Sequence, residues 1–279
     1  MKIIDARIRP PFASIGAGRL FYPDYAIPLC AKFGRGYPES AKEKSMDLLM
    51  KEMKEENIVQ ALMPIRRSQG TGMKNEDFAL LNEQYPDRFI GFAGLDPSIG
   101  ISETLKEIDQ FVTTGAFTGI NLEPGLDPKP WKLDDEKNFP IFEKCEKERI
   151  PVYITWGGLC ATPWVYDPEI IDHVARTFPK MKMFLAHAGF PRSAEHAIIA
   201  INHPNIYLGT DIYIINSPAQ QDFIMAGNYA CSHQICYGSA YPLTPIHDAV
   251  EVYKKSFDEK NWDNIFYNNV KAFLSYDEQ

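Results

Sequence analysis

Arg7 and Arg9 stand one residue apart at the end of the apolar run "IIDARIR", directly before Pro10 and Pro11. A strand sends alternate side chains to opposite faces, so period two places Asp5, Arg7 and Arg9 on one side and Ile4, Ala6 and Ile8 on the other. If the arginine side faces inward, each guanidinium needs an anion, because a buried unpaired charge is costly. Two arrangements satisfy that need. Internal carboxylates can form structural salt bridges, or a substrate carboxylate can sit in the fork, each charge-assisted bond contributing about 1.5–3 kcal/mol. Arg66 and Arg67 end a second apolar run in "MPIRRSQG". One of them fits the same cluster and the other fits solvent.

Further apolar runs end on polar residues in the same way. "GINLEPG" delivers Asn121 and Glu123, and "YITWGG" delivers Thr155 and Trp156 beside two glycines that let a ligand approach the backbone. "FLAHAGF" ends in His187, "LGTDIYI" carries Asp211 and Tyr213, and "YGSAYPL" carries Ser239, Ala240 and Tyr241. His187 is the foremost candidate for proton transfer, since imidazole titrates near neutrality. Asp211 fits three roles: orienting His187, acting as a base, or pairing with an arginine. Glu123 shares that ambiguity. Trp156 and Tyr213 fit either a pocket wall or the plain core. His173, His196, His203, His233 and His247 fall in helical or connecting segments and are expected at the surface.

The elements that must position these residues alternate along the chain. Apolar, strand-like runs alternate with helix-like segments such as "SAKEKSMDLLMKEMKEENI", where Met46, Leu49, Met50 and Met53 keep helical spacing. "SETLKEIDQFVTTG" reads as a helix with a capping-type start and a close on Gly115. About eight strand–helix units follow one another without a break in composition, which predicts one domain over residues 1–279 and a closed (β/α)8 barrel. In such barrels the chemistry sits where the strands end. A doubly wound sheet is the alternative, but no glycine-rich phosphate turn follows the first strand. Residues 10–39, rich in Pro, Gly and aromatics, are too long for a βα turn and read as an ordered lid over the mouth.

Bulk composition narrows the function classes. The 279 residues carry a net charge of −8 and no basic run, which argues against a nucleic-acid partner. No apolar stretch reaches membrane-spanning length and no leader pattern opens the chain, so a cytoplasmic protein without a membrane partner is expected. Cys30, Cys145, Cys160, Cys231 and Cys236 lack CxxC spacing and read as reduced core thiols rather than a zinc site.

Taken in order, the strand ends resemble the amidohydrolase superfamily over nearly the whole chain. The likeness is to its amidohydrolase-related group, which includes aminocarboxymuconate semialdehyde decarboxylase, resorcylate decarboxylases and dicarboxylate lactonases. That group's first strand usually reads Ile-Asp-x-His-x-His before Pro, where this chain has Ile4-Asp5-Ala6-Arg7-Ile8-Arg9-Pro10. The fifth strand's usual His falls at Thr155, and the sixth strand's His-x-Gly is matched by His187-Ala188-Gly189. The eighth strand's Gly-Ser-Asp-x-Pro reads Gly238-Ser239-Ala240-Tyr241-Pro242, and "IFYNNVKAFL" resembles the final helix, with Asn269 at the usual asparagine.

Four of the five metal-ligand positions that the resemblance implies are therefore Arg7, Arg9, Thr155 and Ala240. Arginine does not deprotonate to ligate a metal and alanine has no donor atom. The expectation is a cofactor-free, metal-independent hydrolase of lactone type acting on a small anionic, carboxylated substrate. Arg7, Arg9, Arg66, Asn121, Glu123, Thr155 and Trp156 would bind it, and His187, Asp211 and Tyr213 would act on it. A carboxy-lyase and an inactive, anion-binding barrel are the alternatives. The resemblance also implies a homo-oligomer.

Overall fold

A computed structural model describes residues 1–67, 72–126, 129–158 and 163–276, with Pro163 and Trp164 described by their backbone alone. Eight parallel strands form one sheet in sequence order, β1 (Ile3–Asp5), β2 (Ile58–Pro64), β3 (Phe89–Gly94), β4 (Gly119–Leu122), β5 (Val152–Thr155), β6 (Met183–Ala186), β7 (Ile206–Gly209) and β8 (Ile235–Cys236). The seam between first and last strands is joined by Ala6 N–H donating to Tyr237 O at 2.9 Å and Arg9 N–H to Tyr241 O at 3.2 Å. Ile8 and Tyr241 pair in parallel there. The architecture is a (β/α)8 barrel.

Period two decides which side chains fill it. Along β6, Phe184 and Ala186 join an inner cluster with Leu62, Phe92 and Tyr153, while Met183 and Leu185 face the helices. Phe184 needs the space over Gly209, where a Cβ would sit 2.4 Å from its ring. At the N-terminal end the last helix, α11 (Asn269–Leu274), closes the floor. Its Phe273 stacks 5.7 Å from Phe92 and lies 5.4 Å from Phe184, and Asn269 Nδ2 donates to Ile235 O at 2.7 Å.

The helices follow the same logic. α1 (Pro23–Ala31) and α2 (Glu39–Lys42) belong to the long segment after β1, and α3 (Met46–Glu55) buries Leu49 and Met53 on one face behind a Ser45 cap. The outer ring continues with α4 (Glu76–Gln84), α5 (Ile101–Ile108), α6 (Phe139–Glu148), α7 (Pro168–Thr177), α8 (Ser193–Asn202), α9 (Gln220–Asn228) and α10 (Ile246–Ser256), then α11 (Asn269–Leu274). Among the described residues no helix is long and apolar enough to cross a membrane.

Several local expectations need correction. The start of α5 has no side-chain cap. Gly100 at φ +115° begins it and Thr104 Oγ1 donates back to Gly100 O, while its last turn widens to a π-helix over Asp109–Thr113. "DIYI" is a 3-10 turn, not a strand, because Asp211 at φ +36° leaves the β region and its Oδ1 accepts Ile212 N–H. His196 is fully buried, not at the surface. Cys30, Cys145, Cys231 and Cys236 are buried free thiols, and Cys160 lies outside the described residues.

Candidate active site

Strict alternation fails at the end of β1. Asp5 Oδ1 accepts the Arg7 N–H at 2.9 Å, a local side chain-to-backbone bond that bends the chain at Ala6. Ile4 and Ala6 pack into the inner cluster, whereas Asp5 does not share a face with the arginines. It is buried against β8 instead, accepting Ser239 N–H at 3.0 Å. Beyond the bend Arg7 and Arg9 turn into a cavity of about 180 Å3 at the barrel mouth, and Ile8 packs outward.

Five arginines line this cavity: Arg7, Arg9, Arg19, Arg35 and Arg66. No Asp or Glu lines it among the described residues. The carboxylates lie just behind. Arg7 Nη1 donates to Asp211 Oδ2 at 3.2 Å, and Arg66 Nε pairs with Glu123 at 3.3 Å. Arg9 Nη2 lies 3.8 Å from Glu123, too far for a hydrogen bond, and its Nε and Nη2 have no hydrogen-bond partner among the described residues. Both expected arrangements are thus present in part: Arg7 and Arg66 meet internal carboxylates, while Arg9 keeps unsatisfied donors. Burial, together with the charges of Arg7 and Arg66, pulls Arg9 down to about 9, which leaves it protonated at neutral pH. Arg67 leaves the cluster and pairs with Glu107.

His187 ends β6 at the cavity wall. Its Nδ1 lies 3.0 Å from Asp211 Oδ1, and its backbone N–H donates to Asp211 Oδ2 at 3.1 Å. Burial first, then the Arg7 charge, pull its imidazole down to about 4, against the opposing pull of Asp211. For Asp211, burial opposes ionisation, but His187 and Arg7 outweigh it and hold the carboxyl below its ordinary value. A neutral imidazole beside an ionised carboxylate carries its proton on Nδ1, leaving Nε2 as an acceptor.

Tyr213 completes the wall, stacked on Phe190 at 4.3 Å and edge-on to His187 at 5.0 Å. Gly158 sits at φ +96°, and a Cβ there would come within 2.9 Å of Tyr213 Oη and 3.1 Å of the His187 ring. Glycine is what the crowding requires. Four non-glycine residues at these strand ends also have positive φ: His187, Ala188, Asp211 and Ala240. Such backbone costs on the order of 1–3 kcal/mol per residue and concentrates where function over-determines it.

Four residues expected to bind substrate do not line the cavity. Asn121 donates to Ile65 O at 2.7 Å, which holds the chain leading into Arg66. Thr155 donates to Glu123 Oε1 at 3.0 Å, and Glu123 serves as counter-charge to the arginines. Trp156 is fully buried and donates to His196 Nε2 at 2.6 Å. Asn121, Glu123 and Thr155 are thus committed to partners beneath the mouth, and Trp156 packs outward against α8. Conversely, Arg19 and Arg35 in the long segment escaped the sequence reading. That stretch has no periodicity to orient a side chain, and the only signal was an arginine between two glycines in "FGRG".

The residues at the five positions where the resemblance implies metal ligands do not fit a metal. Arg7 and Arg9 bring positive charge, Thr155 is committed to Glu123, Ala240 has no donor, and His187 Nδ1 is engaged by Asp211. Among the described residues no group of three or more His, Cys, Asp or Glu could hold an ion.

A family model described as amidohydrolase matches residues 36–274. The 2-amino-3-carboxymuconate-6-semialdehyde decarboxylase of Dictyostelium discoideum is 25% identical over 242 residues, 73% of this chain and 66% of that relative, so the match spans just under two thirds of its length. An uncharacterised TIM-barrel protein from Bordetella bronchiseptica is similar across 98% of both chains, with 30% identity and a TM-score of 0.90. A 2,6-dihydroxybenzoate decarboxylase from Rhizobium shares the fold across 98% of both chains, at 16% identity and a TM-score of 0.71. With a family match covering most of its length on a (β/α)8 barrel, this chain belongs to the amidohydrolase-2 family (Amidohydro_2).

Proposed function

We propose that the protein is a metal-independent, lactonase-like hydrolase of a small carboxylated metabolite. The observation that carries this reading is His187, held from behind by Asp211, lining a cavity that five arginines also line. Arg9, with Arg66 beside it, holds the substrate carboxylate. Arg7, already fixed by Asp211, places positive charge where a carbonyl oxygen becomes an oxyanion, an effect typically worth about 10²–10³ in rate. His187 Nε2 takes a proton from water as the water oxygen bonds to the ester carbon. The imidazolium so formed is stabilised by Asp211, a general-base contribution of about 10²–10⁴. The tetrahedral carbon then expels the ring oxygen, which takes the proton back from His187 Nε2, either directly or through the Tyr213 hydroxyl, which His187 reprotonates.

Held neutral at pH 7, His187 starts the cycle as the proton acceptor that hydrolysis requires. Decarboxylation is the second reading, supported by the decarboxylase names among the relatives. One assay separates them. Purified protein is offered carboxylated lactones and hydroxylated aromatic acids, with proton release and CO2 release followed in parallel. The expected result is ring opening that survives chelator treatment and disappears in His187→Gln. CO2 release without ring opening would establish the second reading, and zinc-restored activity after chelation would overturn metal independence.

A further inference from the structure

The long segment after β1 brings its own cation into the mouth. Arg35 is 8% exposed, and its Nε and Nη2 have no hydrogen-bond partner among the described residues. No described carboxylate lies within ion-pairing distance of it. Its guanidinium stacks 4.3 Å above the Phe33 ring, which fixes its plane. The side chain is not a loose surface group that happens to fold inward. Arg35 N–H donates to Cys30 O at 3.1 Å, Asn216 Nδ2 donates to Phe33 O at 2.8 Å, and the Cys30 thiol donates to Leu243 O at 3.3 Å. The other end of the segment is tied down as well, by Ser14 N–H to Asp77 Oδ2 at 3.0 Å and Lys74 N–H to Ser14 Oγ at 2.9 Å.

Arg35 also borders a second cavity of about 200 Å3 that includes Asp248, without an ion pair to it. The charged and polar neighbours it senses are Cys30, Asp211 and Tyr213, all on the main cavity's side. Arg19 stands at the rim of the same mouth, 4.9 Å over the Tyr25 ring. Arg35 is not among the charges that act on Arg9, which feels Arg7 and Arg66, and the cavity is also lined by the apolar faces of Leu29, Phe33, Tyr213 and Leu243. Two sets of cations that do not act on one another, in a cavity also lined by apolar side chains, match a short molecule charged at both ends. A fixed, buried guanidinium without an acceptor is costly unless an oxyanion completes it.

We infer that Arg35, with Arg19 at its rim, forms a second oxyanion subsite under the segment 13–36, so that the natural ligand carries two anionic groups. This rests on the proposed function in one respect, that Arg9 and Arg66 take the first carboxylate. The second group is a carboxylate or a phosphoryl-type anion, and the small cavity limits the spacer between the two groups to a few carbons.

Calorimetric titration of the full chain with glutarate, 3-phosphonopropionate and butyrate tests it. Wild type should bind at least one of the two dianions about tenfold or more tighter than butyrate, and the tighter dianion identifies the second group. In Arg35→Met that preference should collapse toward one. In Arg9→Met all three ligands should weaken while the preference persists. A preference unchanged in both Arg35→Met and Arg35→Gln, with melting temperatures showing folded protein, would overturn the subsite. Loss of preference in the Arg35 variants with no effect of Arg9→Met would keep the subsite and sink the first clamp. Absence of binding by all three probes at millimolar concentration would sink both.

Discussion

The carboxylate of Asp211 holds His187 twice, through Nδ1 at 3.0 Å and through the backbone N–H at 3.1 Å, while its Oδ2 also accepts from Arg7. Both oxygens face donors, since Oδ1 accepts Ile212 N–H as well. The ring can therefore rotate little, and the 3.0 Å contact to the carboxylate, shorter than the 3.5 Å to Arg7 Nη1, favours the proton on Nδ1.

A consequence concerns pH. With its imidazole pulled down to about 4, His187 should show no titration between pH 5 and 8 when its ring is followed by NMR. For the same reason kcat/KM on any accepted lactone should be flat there and fall as pH drops through about 4. In Asp211→Asn the amide NH2 meets a donor at either place, Ile212 N–H at Oδ1 or the His187 N–H and Arg7 at Oδ2. The charge that favours the ring proton on Nδ1 is lost. We expect kcat to fall by about 10²–10⁴, with the tautomer change visible in the ring 15N shifts. A His187 midpoint near 6.5 in wild type would refute the arrangement.

Glu123 and Arg9 should respond oppositely to mutation. Glu123→Gln leaves Arg9 and Arg66 without their carboxylate, and removing one partner of a buried pair costs about 3–5 kcal/mol. Arg9→Met removes a buried cation that is poorly neutralised, so its melting temperature should match or exceed wild type even though anion binding weakens. Urea or thermal melts decide the matter, and an Arg9→Met variant as damaged as Glu123→Gln would show Arg9 to be a structural ion-pair partner.

Asp5 supplies a stability test with a defined sign. Burial pushes its carboxyl up to about 7, against the Arg7 and Ser239 N–H groups that it accepts. Its ordinary value is about 3.9, so between pH ~4 and about 7 the folded state binds more protons than the unfolded state. Stability from this group is fully present below pH ~4 and is lost as pH rises through about 7. Buried His187 and His196, both pulled down to about 4, act in the opposite sense, their contribution rising between pH ~4 and ~6.5. Comparison with Asp5→Asn isolates the first effect, because an amide oxygen still accepts both N–H groups. Relative to wild type, the variant should gain on the order of 2–4 kcal/mol between pH 4.5 and 8 by urea denaturation. An equal difference at both pH values would show that Asp5 does not titrate in that window.

How much of this was legible in the chain depends on how local each cause is. β6 shows the legible kind: "MKMFLAH" alternates apolar residues for an inner and an outer face, and its histidine falls where the strand stops. β1 shows the other kind. Its period predicted Asp5 beside the arginines, but one hydrogen bond from Asp5 to the Arg7 N–H resets the phase. His196 reads as a surface residue and Trp156 as a pocket wall or plain core, and only their meeting between β5 and α8 makes both core residues.

Two kinds of information separate here. The order of strand–helix units, the arginines in place of metal-binding histidines, and the surviving His187 are properties of residue type and spacing, so the linear chain by itself determined them. The tertiary structure alone decided which cations stay unmatched. Neutralisation depends on distances of 3–4 Å between residues up to two hundred positions apart, and no pattern along the chain encodes such a distance. Arg35 is the sharpest case, since it enters the mouth only because the segment carrying it is tied to Lys74, Asn216 and Leu243, in the connections that follow β2, β7 and β8.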